Sequence, residues 1–327
     1  HQGQINAART STGYDYSTCF AYVKEEIKKA DLSIANLEVT LGGKPYKGYP
    51  AFSAPDEFLT AIHDAGFNVL VTANNHSLDR GKSGLERTIQ LIDSLKVPHA
   101  GTYINADERE KKYPLLLEKN GFRIALLNYT YGTNGIPVTP PNIVNYIDTA
   151  IIAKDIEESK AMKPDAIIAC MHWGIEYQSL PDKEQKFLTD WLLRKGVNHI
   201  IGCHPHVVQP IEVREDSLTN GKHLVVYSLG NYISNMSARR TDGGLMVKME
   251  LVKDSTTRLN HCEYSLVWTA RPAQSGKKNH QLLPINFPTD SISVNARNSL
   301  RIFANDARSL FSKHNRGIKE YLFYKKK

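Results

Sequence analysis

Two histidines flanking one proline, His204 and His206, follow the apolar pair Ile200-Ile201 and Gly202. In an extended segment a spacing of two puts both side chains on one side of the chain. Imidazole is the commonest metal-binding side chain, so the pattern fits half of a metal site at a strand end. A surface loop that happens to read His-Pro-His fits it too. Three other apolar runs end in the same manner. Residues 32–39 carry Asn36 and Glu38 two apart, on one face. A carboxylate among apolar residues must be paired or coordinated, unless the strand emerges into solvent there. Residues 67–72 lead into Asn75 and His76, with Asp79 three further on. Asp79 either orients His76 or forms the turn before the next helix, and Asn74 reads as a turn residue with positive φ. Residues 165–171 lead to His172, Trp173 and Glu176. Glu38, Asn75, His76, His172, His204 and His206 together offer a carboxylate, an amide oxygen and imidazoles, a set suited to zinc, manganese or iron rather than to calcium or magnesium alone. With a second bridging carboxylate, two ions roughly 3.5–4 Å apart would clamp a phosphoester and activate water.

The elements that must position these groups follow from periodicity. Apolar residues at helical spacing predict helices over 19–29, 56–65, 149–160 and from Pro181-Asp182 to about residue 194, the last closed by Gly196. Ser83 is expected to cap a further helix carrying Leu85, Ile89, Ile92 and Leu95. Strands are expected over 122–129, paired with 113–117, then over 165–171, 197–201, 223–229, 244–252 and 262–270. Residues 1–18 show no period. Residues 42–55 read as a loop, and 131–145 as a lid or substrate-contacting loop. Strand and helix alternate before strands follow one another, which gives an α/β layered architecture. In open α/β sheets the ligand site lies beyond the carboxyl ends of the strands.

Composition bounds the function classes. With 327 residues, 41% hydrophobic and 23% charged, the chain has the make-up of a globular protein with ample core. Its organisation is expected as a main domain over 1–270 and a C-terminal helical appendage over 271–327. No apolar run approaches the roughly 20 residues that span a bilayer. The chain starts at His1 rather than methionine, so a processed or truncated protein is expected, with any signal or anchor outside this sequence. Cys19, Cys170, Cys203 and Cys262 are scattered and read as buried free thiols. The net charge of +7 favours anionic partners in general. It is gathered into no arginine-rich helix or aromatic-interleaved basic stripe, so no nucleic-acid partner is expected. His63, His99, His199, His223 and His261 read as core or surface histidines, and Trp173 as packing. Glu176 and Gln209 are either substrate or supporting contacts, or structural, and Asn231, on a strand-end loop, is expected to be a substrate or supporting contact.

The segments 36–38, 73–81, 172–176, 202–209 and 228–232 resemble, in order, the motifs of the bacterial capsule synthesis protein CapA family, itself similar to the calcineurin-like metallophosphatases. The resemblance covers about residues 1–270. It implies a four-layer α/β sandwich of two mixed β-sheets flanked by helices. It implies Glu38 as a bridging metal ligand, Asn75, His172 and His204 as ligands of a second ion, and His206 as a ligand of the first. His76, supported by Asp79, would give a proton to the leaving group or stabilise the transferred phosphoryl group. Asn36, Glu176, Gln209 and Asn231 would support ligands or touch substrate. The family's opening strand, which ends in Gly-Asp and binds the first ion, has no counterpart here, so two ions are expected only in a fuller protein. The implied function is a metal-dependent hydrolase of phosphoesters or amides in poly-γ-glutamate capsule synthesis. It would work in the cell envelope, outside the cytoplasm, beside other capsule-synthesis proteins at the membrane. The alternatives are a non-catalytic part of a polymer export complex and a binding module for anionic polymer.

Overall fold

The computed structural model describes residues 1–216 and 221–324. Strands β1 (Ile34–Asn36), β2 (Val69–Val71) and β3 (His99–Ala100) form a parallel sheet in that order. A short pair joins β4 (Thr102–Tyr103) to β7 (Ile143–Val144). The largest sheet holds β5 (Leu115–Lys119), β6 (Phe122–Thr130), β8 (Ala166–His172), β9 (His199–Cys203), β10 (Ile211–Asp216) and β11 (Gly221–Val226), in the order β10-β11-β9-β8-β6-β5. Its inner strands β6, β8, β9 and β11 are parallel, and β5 and β10 add antiparallel edges. A third sheet holds β12 (Gly243–Lys253), β13 (Thr257–Ala270), β14 (Gln281–Pro284) and β15 (Lys319–Glu320).

The layers follow from which faces are apolar. All seven residues of β8 are buried, as expected of a parallel strand covered on both sides. On one face Ala125, Leu127, Ile167, Ala169 and Ile200 pack on Ile152 and Ile156 of the helix Thr149–Ala161 and on Leu188 and Leu192 of the helix Lys183–Lys195. On the other face Leu126, Ile168 and Cys170 meet Val69 and Val71 of β2, while Leu224 and Val226 meet Leu245, Leu266 and Trp268. Alternation in β2 turns Leu70 the opposite way, toward Phe58, Leu59 and Ile62 of the helix Asp56–Asp64 and Ile92 of the helix Gly81–Ser94. Helix, sheet, sheet, helix is the expected four-layer α/β sandwich, with one of its two inner layers made of separate three- and four-stranded sheets.

Local chemistry explains most element ends. Asp182 and Gln185 form a reciprocal capping box, and Gly196, at φ +102°, stops the same helix in the left-handed region. Several expectations are corrected. Residues 2–8 are helical, burying only Gln4, Ile5 and Ala8. The helix expected over 19–29 shrinks to Lys24–Ile27, although Phe20, Val23 and Ile27 are all buried. Ser83 caps nothing: the helix starts at Gly81, behind Arg80. Beyond residue 270, β14 and β15 both pair with β13, and the helix Val294–His314 buries Leu300, Phe303 and Phe311 in the core shared with β11 and β13. The four cysteines are free thiols; Cys19 and Cys170 are buried as expected, whereas Cys203 and Cys262 are only half-buried. Among the described residues no helix is long and apolar enough to cross a membrane.

Candidate metal centre

Because β1 and β2 run parallel, as do β6, β8, β9 and β11, their carboxyl ends deliver the candidate residues to one rim. Two residues past β1 stands Glu38, β8 ends on His172, and His204 follows β9 directly. One ligand atom from each of Glu38, His172 and His204 lies within 4.8 Å of the others. Asn75 joins this group, its Oδ1 lying 2.9 Å from His172 Nε2. The His206 ring stands beside it, 5.9 Å from that of His204. The backbone is bent to achieve this: His204 and His206 have φ of +107° and +61°, conformations that persist only where the surroundings impose them. The close approach of β9 to its neighbours requires Gly202, where a Cβ would lie 2.1 Å from the Tyr227 carbonyl oxygen and 2.4 Å from the Trp173 indole nitrogen.

Polar side chains fix the orientation of these groups. Asn36 donates to Glu38 Oε2 at 3.1 Å. Asn74 donates to the Leu37 carbonyl at 2.8 Å and to Asn36 at 3.3 Å, which ties the loops after β1 and β2 together. Asn74 is absent from the positive-φ residues, so its role is this tie and not the turn conformation expected. His76 Nδ1 lies 2.7 Å from Asp79 Oδ2 with both side chains buried, and the Phe52 amide donates to the same oxygen at 2.8 Å. The Phe52 ring packs 4.4 Å from that of His76.

Asn231 Oδ1 lies 3.1 Å from His206 Nδ1 and its amide donates to the Thr241 carbonyl at 2.8 Å. His206 Nε2 is thereby left to face the rim, 3.8 Å from Glu176 Oε1. Partners of this kind fix a ligand ring and its tautomer. Asn231→Ala is expected to weaken binding of the ion that His206 would serve about 10–100-fold and to spare an ion held by Glu38, His172 and His204, both measured by isothermal titration calorimetry. Glu176 itself is exposed at the rim. Gln209 is not at the centre. Its amide donates to the Gln178 and Leu180 carbonyls and accepts from Gln185, so it braces the loop that carries Glu176.

Burial sets the charges. Desolvation, then the neighbouring His206 and His76, pushes His204 down to about 3, and the same causes with His204 hold His172 well below the usual imidazole value. Desolvation pushes the Glu38 carboxyl up to about 7 against the pull of His206. The centre thus combines neutral imidazoles with a carboxylate short of positive partners. His172 Nδ1 and His204 Nδ1 are buried without a hydrogen-bond partner. This donor set fits a divalent cation with nitrogen and oxygen preference.

Sequence reasoning expected 131–145 as a lid or substrate-contacting loop but singled out neither Tyr131 nor Asn134 in it, nor Phe52; all three touch site residues. Tyr131 directly follows β6, a strand end that was visible, but it carries no ligand signature. Phe52 lies in a loop and reaches Asp79 only through the fold.

The protein is thus an α/β sandwich with a candidate metal centre at one rim, where one glutamate, an asparagine and three histidines stand beside a His–Asp pair. More particularly, the chain belongs to the bacterial capsule synthesis protein PGA_cap family, whose model matches residues 1–236. It is similar to the capsule biosynthesis protein CapA of Bacillus anthracis, 28% identical over 76% of this chain and 61% of that protein. It is also similar to the PGA biosynthesis protein CapA of Bacillus subtilis, 29% identical over 73% of this chain and 62% of that protein. The chain therefore spans about three-fifths of the length of these relatives. Among solved structures, the Haemophilus influenzae NAD nucleotidase aligns at a TM-score of 0.49 and 13% identity, covering 92% of this chain and 57% of that one.

Proposed function

We propose that the protein is a metal-dependent hydrolase of the cell envelope that cleaves a phosphoester or an amide in an anionic capsule-type polymer. The convergence of Glu38, His172 and His204 within 4.8 Å carries this reading. Family membership supports the capsule context, and the net charge of +7 supports an anionic partner. Glu38, Asn75, His172 and His204 would hold one ion, and His206 would serve a second; manganese, zinc and iron all suit the donors. A bound ion supplies Lewis acidity and activated water.

The chain's own residues do the rest. Asp79 holds the Nδ1 side of His76, so Nε2 is the nitrogen that exchanges a proton with the leaving group. Phe52 covers the His76 ring and shields the pair from water. Asn36 and Asn74 keep Glu38 on its loop. Other capsule-synthesis proteins at the membrane would be its neighbours.

The test is turnover of p-nitrophenyl phosphate and γ-glutamyl peptides by the purified chain with manganese or zinc added. Metal-dependent turnover of either supports the reading. Stoichiometric metal binding with every phosphoester and peptide untouched contradicts it and favours a scaffold role in polymer export.

Metal uptake is also expected to release protons. The Glu38 carboxyl lies near 7 when folded, above its ordinary 4.5. Between those values the metal-free fold binds a proton that the unfolded chain gives up, so this contribution to stability is lost as pH rises through about 7. A cation keeps Glu38 ionised, so binding below pH 7 must expel that proton. Calorimetry in buffers of different ionisation enthalpy should show release near pH 6, none well above pH 8, and no such pH dependence in Glu38→Gln.

A further inference from the structure

Tyr131 directly follows β6, whose carboxyl end brings none of the candidate metal ligands, yet it turns back over the centre. Its amide donates to the His172 carbonyl at 3.0 Å. Its ring lies 4.5 Å from the His204 ring and within 9° of parallel to the His172 ring at 6.3 Å. Three residues on, Asn134 accepts from Asn75 Nδ2 at 3.3 Å. The loop is pinned behind them, since the Thr133 hydroxyl bonds to the Ile136 carbonyl and to the Tyr146 hydroxyl, each at 2.7 Å.

An asparagine amide has two hydrogens and one accepting oxygen, and which end faces where is decided by its partners. When Asn75 gives a hydrogen to Asn134, its own oxygen is turned toward His172 and the cation site. A single exposed tyrosine is ordinary. Tyr131 differs because it is 48% exposed while its ring lies against two site histidines, so any substrate entering from solvent meets it.

We propose that Tyr131 contacts the substrate, its hydroxyl donating to an anionic oxygen bound at the metal centre, and that Asn134 is a positioning residue that turns the Asn75 oxygen toward the cation. This rests on the metal-centre reading and not on turnover. The oxygen belongs to a phosphoryl group or to a carboxyl derivative, and inorganic phosphate and acetate separate the two sources.

The experiment uses the whole chain and two variants, Tyr131→Phe and Asn134→Ala. Manganese affinity is measured by calorimetry, and phosphate or acetate affinity by titration of the manganese-loaded protein. Tyr131→Phe is expected to leave manganese affinity unchanged and to weaken anion binding roughly 10–100-fold, the worth of one hydrogen bond to a charged group. Asn134→Ala is expected to weaken manganese binding about 10–100-fold, with recovery in Asn134→Asp, which keeps the accepting oxygen. Wild-type anion affinity in Tyr131→Phe overturns the substrate contact, and wild-type manganese affinity in Asn134→Ala overturns the positioning role. A wild-type protein that binds no manganese overturns both together with the metal centre. A catalytically silent but metal-binding wild type counts against the hydrolase reading alone.

Discussion

His76→Ala is expected to lower metal-dependent turnover by about 10²–10⁴-fold, the usual worth of a positioned proton donor, while leaving metal affinity near wild type. The reason is the division of labour at the rim. His76 is not one of the three residues that converge on the cation site. Its Nδ1 is held by Asp79, and its backbone amide donates to Asn74 Oδ1 at 3.0 Å, so its placement comes from the loop after β2. Removing the ring takes away the proton and leaves Glu38, His172 and His204 in place. Paired measurements of kcat and of metal affinity check this. Equal losses in both would make His76 a ligand, and no loss in either would remove it from the chemistry.

His204→Ala is expected to do the reverse. It takes away a ligand from the tight cluster and should weaken metal binding by more than the roughly 10–100-fold cost of losing a supporting partner. Turnover should fall with it and recover only in part at high metal concentration. The fold should tolerate the change, because folding His204 in a neutral state opposes protonation. Its folded value of about 3 lies below the ordinary 6.5. Between those values the unfolded chain takes up a proton that the native state refuses, so His204 costs stability progressively as pH falls below 6.5. His204→Ala should therefore soften the acid side of the stability profile, read from denaturant titrations at pH 5 and pH 7.

Much of this was legible in the sequence because apolar runs and polar strand ends are strong signals. The expected helix over 149–160 is the observed Thr149–Ala161, and the expected strand over 165–171 is the observed β8. Glu38, Asn75, His172 and His204 announced themselves through their types and through the glycines and turns that follow apolar runs. The N-terminal helix Gln2–Ala8 was not legible, since it buries three residues with no repeating stripe. Gln209 was read either as a supporting or substrate contact or as a structural residue. Only the fold reveals that its amide is consumed by Gln178, Leu180 and Gln185. Tyr131 and Asn134 lie in the loop expected to form a lid or touch substrate, but were not singled out within it: nothing in a Tyr-x-x-Asn spacing signals an amide being turned, and their placement comes from β6 lying next to β8. The division of one layer into β1–β3 and β12–β15 also depends on long-range pairing that local patterns do not encode.

The central claim is that groups far apart in the chain hold one cation at the rim of the parallel strands. Anomalous scattering at the manganese or zinc edge, from crystals of the metal-loaded protein, tests it most directly. The account predicts a peak bonded to Glu38, His172 and His204, at about 2.0–2.2 Å if the ion is zinc, with Asn75 beside it. A stoichiometric metal whose peak lies elsewhere on the protein would contradict it.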